Sequence, residues 1–206
     1  MEIVFATRNK KKAEEMHRIL NGMDMSILTL NDFTGCSEVA EDSDTFEGNA
    51  VKKAAAAAKC TNRISVADDS GIEVYALKNA PGVTSARYAG KDATDAENLN
   101  KLLSEMKGIP EEKRGARFVC CIALAFPDGN VKTFFGFVEG RIAKKPLGRK
   151  GFGYDPVFYP LGHDRTFAEM SSKEKDALSH RGEALKKFRD YIKESSKSNI
   201  KSIHKN

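Results

Sequence analysis

The sequence lacks the long apolar run that a secretory signal or a membrane span would need. Near its start only Ile3–Ala6 is continuously apolar, and basic side chains follow at Arg8 and Lys10–Lys12. A signal peptide has a longer apolar stretch behind its basic start, and a membrane span takes about 20 apolar residues. We therefore expect a cytoplasmic protein with no membrane partner.

Cysteine is scarce, and its spacing is uninformative. There are four cysteines in 206 residues and no C-x-x-C; Cys36 and Cys60 stand apart, whereas Cys120 and Cys121 are adjacent. This spacing suits neither a disulfide framework nor a zinc site. Because cysteine is among the most often buried residues, the Cys120–Cys121 pair in its apolar segment is predicted to belong to the core and not to act as a nucleophile.

The excess of positive charge is also small. The 34 lysines and arginines exceed the 29 acidic residues by five, which fits an anionic small molecule or, weakly, a nucleic acid. The basic stretch 141–150 and the tail are not interleaved with an aromatic platform, so a nucleic-acid-binding module is a minor alternative and no nucleic-acid partner is expected. Residues 1–194 are predicted to form a single domain, and residues 195–206 a flexible basic tail.

Strand and helix signals are mixed without strict alternation. Predicted strands cover 3–6, 27–30, 64–67 and 72–75, with a long hairpin over 118–126 and 131–138. Predicted helices run from the basic loop to about residue 20, from a capping box of Asp44 with Glu47 to about Cys60, from Thr94, and from Ser179. This mixture favours an α/β fold with a mixed sheet over a purely parallel, doubly wound one.

The first candidate site is Thr7–Lys12, between a predicted strand and a helix start. Unpaired N–H groups and the positive end of the helix dipole attract phosphate there, and hydroxyl, amide and ammonium groups add donors. The alternative is a solvated basic first turn.

The second candidate is Asp68-Asp69-Ser70-Gly71, whose two adjacent carboxylates stand where a predicted buried strand ends. Adjacent carboxylates repel one another unless a hard cation lies between them or one stays in water, and Mg²⁺ bound to phosphates uses one or two carboxylates. An Asp-rich turn is the alternative. Glu41 belongs to a second acidic cluster with Asp42 and Asp44, in which helix capping is expected to explain Asp44 but leaves Glu41 unexplained.

The third candidate combines Gly151–Pro156 with Ser179–Arg181. Its glycines permit close backbone approach, its aromatic rings can stack on a base, and an imidazole and a guanidinium can donate to a ring carbonyl. A structural loop and a serine N-cap are the alternatives.

Together these segments resemble the inosine triphosphate pyrophosphatase family, also called Ham1-like. The resemblance covers residues 3 to about 192 and rests on five ordered motifs: FATRNKKK at 5–12, ADDSGIEV at 67–74, APGVTSARY at 80–88, GFGYDPVF at 151–158 and SHR at 179–181. It implies an elongated two-lobed α/β fold with a central curved mixed sheet, a homodimer, and Mg²⁺-dependent hydrolysis of ITP, dITP and XTP to the monophosphate and pyrophosphate.

The resemblance also assigns roles to residues. It implies triphosphate binding by Thr7, Arg8, Asn9, Lys10, Lys11, Lys12 and Lys53. Asp69 would be the proton acceptor and a metal ligand, with Glu41 and Asp68 as further metal ligands. Substrate binding would involve Ser70, Phe152, Gly153, Tyr154, Asp155, Lys175, His180 and Arg181.

One position departs from the family pattern. Many members carry Glu immediately before the Asn of the second helix, whereas this chain has Gly48–Asn49, so we predict Glu41 rather than Glu47 at the metal. The nearest alternative is a Maf-like pyrophosphatase of related architecture that acts on modified pyrimidine nucleotides; the GFGYDP and SHR segments argue against it.

Overall fold

A six-stranded mixed sheet forms the centre of the molecule. The computed structural model describes residues 1–7, 9–23, 25–37 and 39–203, the last eight of them by their backbone alone. The strands are β1 (Glu2–Phe5), β2 (Ser26–Thr29), β3 (Ser65–Val74), β4 (Gly115–Ala125), β5 (Val131–Ile142) and β6 (Phe158–Pro160). Their order is β2-β1-β3-β4-β5-β6. β1 pairs in parallel with β2 and β3, and the other pairs are antiparallel.

Helices cover both faces of this sheet. They are α1 (Lys10–Ile19), α2 (Phe46–Thr61), α3 (Asp95–Glu105), α4 (Ser172–Leu178) and α5 (His180–Ile203). Side chains of α1 and α5 share one hydrophobic cluster with alternate residues of β3 and β4, and the small residues of α2 share another with the intervening ones. The predicted fold class, a mixed sheet flanked by helices, is confirmed. Among the described residues no helix is long and apolar enough to span a membrane.

Strand β3 differs from the prediction. The sequence predicts two short strands around an Asp-rich turn, but one strand runs without interruption from Ser65 to Val74. The reason is pairing: every residue of β3 has a partner in β4, including Asp68 with Ile122 and Asp69 with Cys121. The two aspartates therefore lie inside the sheet, and the turn prediction was wrong.

The start of α2 also differs. Thr45, not Asp44, is the N-cap, and its hydroxyl accepts from the Gly48 N–H at 3.0 Å. With this cap Glu47 is the second helical residue and not the third, where a capping box places its Glu, and its carboxylate accepts from the Thr133 hydroxyl at 2.7 Å. A Cβ on Gly48 would lie 2.0 Å from the Ser43 Oγ, so the loop before α2 is packed for glycine at this position.

The cysteines are the third correction. Cys36 and Cys60 form a disulfide that joins the loop after β2 to the last turn of α2, contrary to the expectation of no disulfide. Cys120 and Cys121 are free and fully buried in β4, and burial raises the pKa of the Cys121 thiol to about 12. Their predicted place in the core is confirmed.

The carboxyl end of the chain is only partly described. Helix α5 begins at His180, one residue after the predicted start, and continues to Ile203. The division into a domain over 1–194 and a flexible tail over 195–206 stays a prediction.

Candidate active site

Asp68 and Asp69 face opposite sides of the sheet because side chains alternate along a strand. Asp68 points to the side covered by α1 and α5, where the Lys12 Nζ lies 3.0 Å and an Arg181 amino group 3.1 Å from its Oδ2. Asp69 points to the side covered by α2, where it contacts Asn49 and Lys53. Neighbours in the sequence thus have separate surroundings.

These surroundings separate the two pKa values. Burial alone would raise the pKa of Asp68, but Lys12, Arg181 and Lys53 outweigh it and hold that pKa far below its ordinary value. The pKa of Asp69 is raised, since burial and the nearby Glu41 outweigh Lys53, Lys12 and the hydrogen bond from Asn49. Asp68 is therefore the carboxylate that stays ionised more readily, whereas Asp69 is the better proton acceptor.

Thr7, Asn9 and Lys12 come together where β1 leads into α1. Asn9 is the N-cap, and its Oδ1 accepts from the N–H groups of Lys11 and Lys12 at 3.0 and 3.2 Å. Its own N–H donates to the Thr7 hydroxyl at 3.2 Å. The N-cap role had no part in the sequence prediction, and it fixes the direction in which the first turn of α1 presents Lys12.

The other basic residues of this turn are placed differently. Lys10 is exposed, and the Lys11 ammonium lies 3.3 Å from Asp95 and 5.6 Å from the ring centre of Phe152. Neither residue lines the two cavities described below, because successive residues of a helix turn point about 100° apart. Arg8 lies outside the described residues.

Two adjoining cavities form one cleft. The outer cavity has a volume of about 680 Å³ and extends from the turn at Thr7 along α2, past Lys53 and Lys59, to the disulfide. The inner cavity, about 120 Å³, is lined in part by the GFGYDP loop and the start of α5. The two share Asn9, Lys12, Glu41 and Ala86. One end of the cleft is therefore rich in lysine, and the other has aromatic and charged walls.

The GFGYDP loop is folded around Asp155. The Asp155 Oδ2 accepts from the Phe152 N–H at 2.8 Å and from the Lys175 ammonium at 2.5 Å. Gly151 has φ +73°, and a Cβ there would lie 2.1 Å from the same carboxylate oxygen, so glycine is required. Burial raises the pKa of Asp155 although Lys175 opposes the shift.

The remaining residues of this loop have distinct roles. Phe152 is half-buried, and its ring centre lies 4.6 Å from the Lys175 ammonium. Gly153 donates its N–H to Asp95 at 3.0 Å. Tyr154 is buried and donates its hydroxyl to the Ser85 carbonyl at 2.8 Å. Phe152 therefore remains available for stacking on a ligand, whereas Tyr154 anchors the wall.

Arg181 lines the inner cavity and connects it to Asp68. It is buried, and one amino group donates to Asp68 at 3.1 Å and to the Ser70 hydroxyl at 2.8 Å, while the other donates to Glu15. Burial would lower the pKa of the guanidinium, but Asp68 and Glu15 raise it well above its ordinary value. Its Nε is buried without a hydrogen-bond partner among the described residues.

Glu15 is a site residue that the sequence interpretation missed. It lies on α1, is buried, and accepts from both Lys175, at 2.8 Å, and Arg181. Burial would raise its pKa, but the two cations lower it below its ordinary value. Its neighbour Glu14 is also acidic and lies in the same helix, so the sequence alone does not indicate which of the two carboxylates is buried.

His180 is held neutral beside an aromatic ring. It is 4% exposed and stacks on Phe118, with ring centres 4.7 Å apart and planes at 9°. Burial, with Arg181 and Lys175 nearby, lowers its pKa well below its ordinary value. Its Nδ1 is buried without a partner in the described part of the chain, and the residue lines the inner cavity.

Carboxylates suited to a hard cation meet beside Lys53. The Lys53 ammonium lies 2.5 Å from the Glu41 Oε1 and 3.9 Å from the Asp69 Oδ1. The described residues contain no group of three or more His, Cys, Asp or Glu placed to hold a metal. A phosphate-bound Mg²⁺ takes only one or two carboxylates. Glu41 and Asp69 fit that requirement, whereas the structure keeps Asp68 on the other face of the sheet.

Known proteins resemble this chain over almost its whole length. The dITP/XTP pyrophosphatase of Desulforamulus reducens is 48% identical over 192 residues, which cover 93% of this chain and 96% of that protein. The dITP/XTP pyrophosphatase of Bacillus subtilis is 46% identical over 187 residues, 91% of this chain and 94% of its relative. A HAM1 protein from Coxiella burnetii has a solved structure with a TM-score of 0.87 and 42% identity, covering 94% of this chain and 99% of that one. The family model of the Ham1 family matches residues 3–191, and the chain therefore belongs to this family.

Proposed function

We propose that this protein hydrolyses non-canonical purine nucleoside triphosphates, dITP, ITP and XTP, to the nucleoside monophosphate and pyrophosphate. The observation that carries the proposal is the single cleft with a lysine-rich outer cavity that joins an aromatic inner cavity at Asn9, Lys12 and Glu41. A triphosphate needs cations along its length, and a purine needs a flat, partly apolar pocket with a few polar groups. The relatives named dITP/XTP pyrophosphatase support the same activity.

The outer cavity is proposed to bind the phosphates. Lys12 and Lys53 line it, and in the structure both ammonium groups rest on carboxylates, Lys12 on Asp68 and Lys53 on Glu41. Substrate phosphates would compete with these carboxylates for the ammonium groups. The ammonium groups would then orient the triphosphate without distinguishing one base from another. Thr7 lines the same cavity and supplies a hydroxyl.

Asp69 is proposed to act as the general base. A water held by its carboxylate attacks the α-phosphorus, the bond from that phosphorus to the bridging oxygen breaks, and pyrophosphate leaves while Asp69 takes the proton of the water. Its raised pKa suits a proton acceptor, and such bases contribute about 10²–10⁴-fold to the rate. Glu41 and Asp69 would hold Mg²⁺, which supplies charge neutralisation to the polyphosphate.

The inner cavity is proposed to bind the base. Phe152 offers a ring for stacking, and neutral His180 with Arg181 offers donors toward the 6-keto oxygen of hypoxanthine or xanthine. Adenine has an amino donor at that position, so donor would face donor and a buried group would go unpaired.

A pyrophosphate-release assay over a nucleotide panel tests the activity. ITP, dITP and XTP should be hydrolysed much faster than ATP, GTP and the pyrimidine triphosphates. EDTA should abolish turnover and Mg²⁺ restore it, and Asp69→Asn should lower kcat by about 10²-fold or more if the base role is correct. Preferred hydrolysis of modified pyrimidine nucleotides would instead indicate the Maf-like alternative.

The base pocket has its own test in Arg181→Lys. Lysine keeps a positive charge beside Asp68 and Glu15 but lacks the planar fork. We expect kcat/KM to fall about 10-fold or more for ITP and XTP and much less for ATP, in line with a lost charge-assisted contact. An equal loss for all nucleotides would assign Arg181 to the architecture of the site alone.

Compartment and assembly complete the proposal. We place the protein in the cytoplasm, where nucleoside triphosphates are made and used. The homodimer and the absence of a nucleic-acid partner remain predictions. Light scattering after size-exclusion chromatography tests the first, and salt-dependent binding to DNA or RNA would contradict the second.

A further inference from the structure

Asn49 is a buried polar side chain in contact with the proposed base. It lies in the first turn of α2 and is fully buried, at 0% exposure. Its Nδ2 donates to the Asp69 Oδ2 at 3.0 Å and to the Ser43 carbonyl at 3.3 Å, and its Oδ1 accepts from the Ser43 N–H at 2.9 Å. Its amide nitrogen and its oxygen are thus both engaged.

The orientation of this amide follows from its partners. Ionised Asp69 can only accept hydrogen bonds, and the Ser43 N–H can only donate one. Turning the amide over would place its oxygen against the carboxylate and its nitrogen against the N–H. The Asn49 nitrogen therefore donates to Asp69.

We propose that Asn49 is a positioning residue that fixes the carboxylate of Asp69 for attack by water, an inference that rests on the proposed function. Full burial prevents Asn49 from touching a nucleotide or the attacking water, so it acts through Asp69. The Asp69 Oδ1 accepts from the Ser70 N–H at 3.0 Å. The Asn49 amide on α2 donates to the other oxygen, Oδ2. One donor on each carboxylate oxygen fixes the plane of the carboxylate.

The same side chain ties the acidic loop to the base. Ser43 lies two residues after Glu41, whose Oε1 pairs with Lys53 at 2.5 Å. Arg87 donates to the Glu41 carbonyl at 2.9 Å and holds the other side of this loop. Asn49 thus joins the main chain of the Glu41 loop to Asp69 by hydrogen bonds, while the Lys53 ammonium pairs with the side chains of Glu41 and Asp69. Losing it should misplace the carboxylate by a fraction of an ångström or more, and a misplacement of about 1 Å can cost about 10²-fold in rate.

A double-mutant cycle on kcat tests the proposal. Asn49→Ala should lower kcat for dITP by about 10- to 100-fold and change KM by less than about twofold. In an Asp69→Asn background the same substitution should lower the residual kcat by less than about threefold, since residues that act as a unit are strongly non-additive. Long incubations with chromatographic detection of the monophosphate make the residual rates measurable.

Asn98→Ala is the matched control. Asn98 is also a buried asparagine on a helix, 3% exposed, and it holds a loop by accepting from the Ala89 N–H at 2.7 Å and donating to the Ala86 carbonyl at 3.1 Å. These bonds reach no carboxylate. Asn98→Ala should therefore change kcat by the same factor in the wild-type protein and in the Asp69→Asn background, whatever the size of that factor.

Several outcomes would overturn the positioning role. One is an Asn49→Ala effect that multiplies with Asp69→Asn as the control does, and another is a rise in KM without a fall in kcat. If Asn49→Ala does not fold, Asn49→Ser enters the same cycle, because it keeps a neutral polar side chain beside the main chain of Ser43 but removes the amide that donates to Asp69. A wild-type protein without purine nucleotide turnover, or an Asp69→Asn variant at full rate, would instead refute the proposed function and would be seen before the cycle is begun.

Discussion

Replacing Glu15 with glutamine should destabilise the fold more than its small chemical change suggests. The carboxylate is buried between two buried cations, Lys175 and Arg181. Removing one partner from a buried ion pair costs about 3–5 kcal/mol, because the other charge is left uncompensated. Glutamine keeps one accepting oxygen, so we expect the lower end, about 3 kcal/mol. For a chain of this length that lowers Tm by about 6–12 °C.

The loss should depend on pH in a definite direction. The pKa of Glu15 is lower in the folded protein than its ordinary value of 4.5. A carboxyl with a lowered folded pKa contributes stability that is fully present above the unfolded pKa and is lost as pH falls through the folded one. The difference between wild type and Glu15→Gln should therefore be largest near pH 7 and shrink as the pH falls below the ordinary value of 4.5.

Urea denaturation at pH 7 and pH 4 measures this difference, with Glu14→Gln as the control. Glu14 is the preceding residue of α1 and is exposed, so its replacement should change the free energy of unfolding by no more than about 0.5 kcal/mol. If Glu15→Gln and Glu14→Gln cost the same, or if the Glu15→Gln loss is as large at pH 4 as at pH 7, the account of a buried ionic network is refuted.

Two further predictions concern the disulfide and the phosphate turn. The Cys36–Cys60 disulfide closes a loop of sequence separation 24, so its reduction should lower the free energy of unfolding by about 3–4 kcal/mol on the chain-entropy model, measured by urea denaturation with and without dithiothreitol. An alkylating reagent should label both cysteines of the folded protein only after reduction and should leave buried Cys120 and Cys121 unlabelled; labelling without reductant in acid-quenched cells would show that the bond is open there. Lys12→Met should lower kcat/KM by a similar factor for dITP, XTP and ATP, since a phosphate contact carries no base information. A loss that depends strongly on the base would place Lys12 elsewhere.

Local patterns in the sequence predicted most of the elements. The hairpin of β4 and β5 was predicted from two strand-like runs around the turn Pro127–Gly129, and the helix capped by Thr94 from a capping box. Both are local signals, and the structure confirms both, with the capping box of Thr94 and Glu97 present. The Asp44 cap was wrong because Thr45, the next residue, competes for the same role. Short polar runs do not specify which of two neighbouring side chains accepts the bond.

The site was only partly predictable for a different reason. Thr7, Lys12, Asp69 and the GFGYDP loop lie in short motifs, and the structure brings them to one cleft. Glu15 and Asn49 act through contacts with residues 160 and 20 positions away, and nothing in their neighbourhoods indicates burial. The Asp68–Asp69 turn was wrong because consecutive polar residues favour a turn locally, whereas pairing with β4 and nearby cations make them acceptable inside a strand.

The division of Asp68 and Asp69 between two faces constrains how the length of this chain can change in evolution. Inserting or deleting one residue early in β3 would shift the pleat by one position and exchange the two faces. A deletion would place Asp69 where Asp68 now meets Arg181, and an insertion would place Asp68 where Asp69 now meets Asn49, although the composition of the strand would be almost unchanged. The turn at 127–130 between β4 and β5 carries no such restriction, because loop tips tolerate added residues. Length variation among descendants of this sequence should therefore collect at that hairpin tip and be absent from Ser65–Val74.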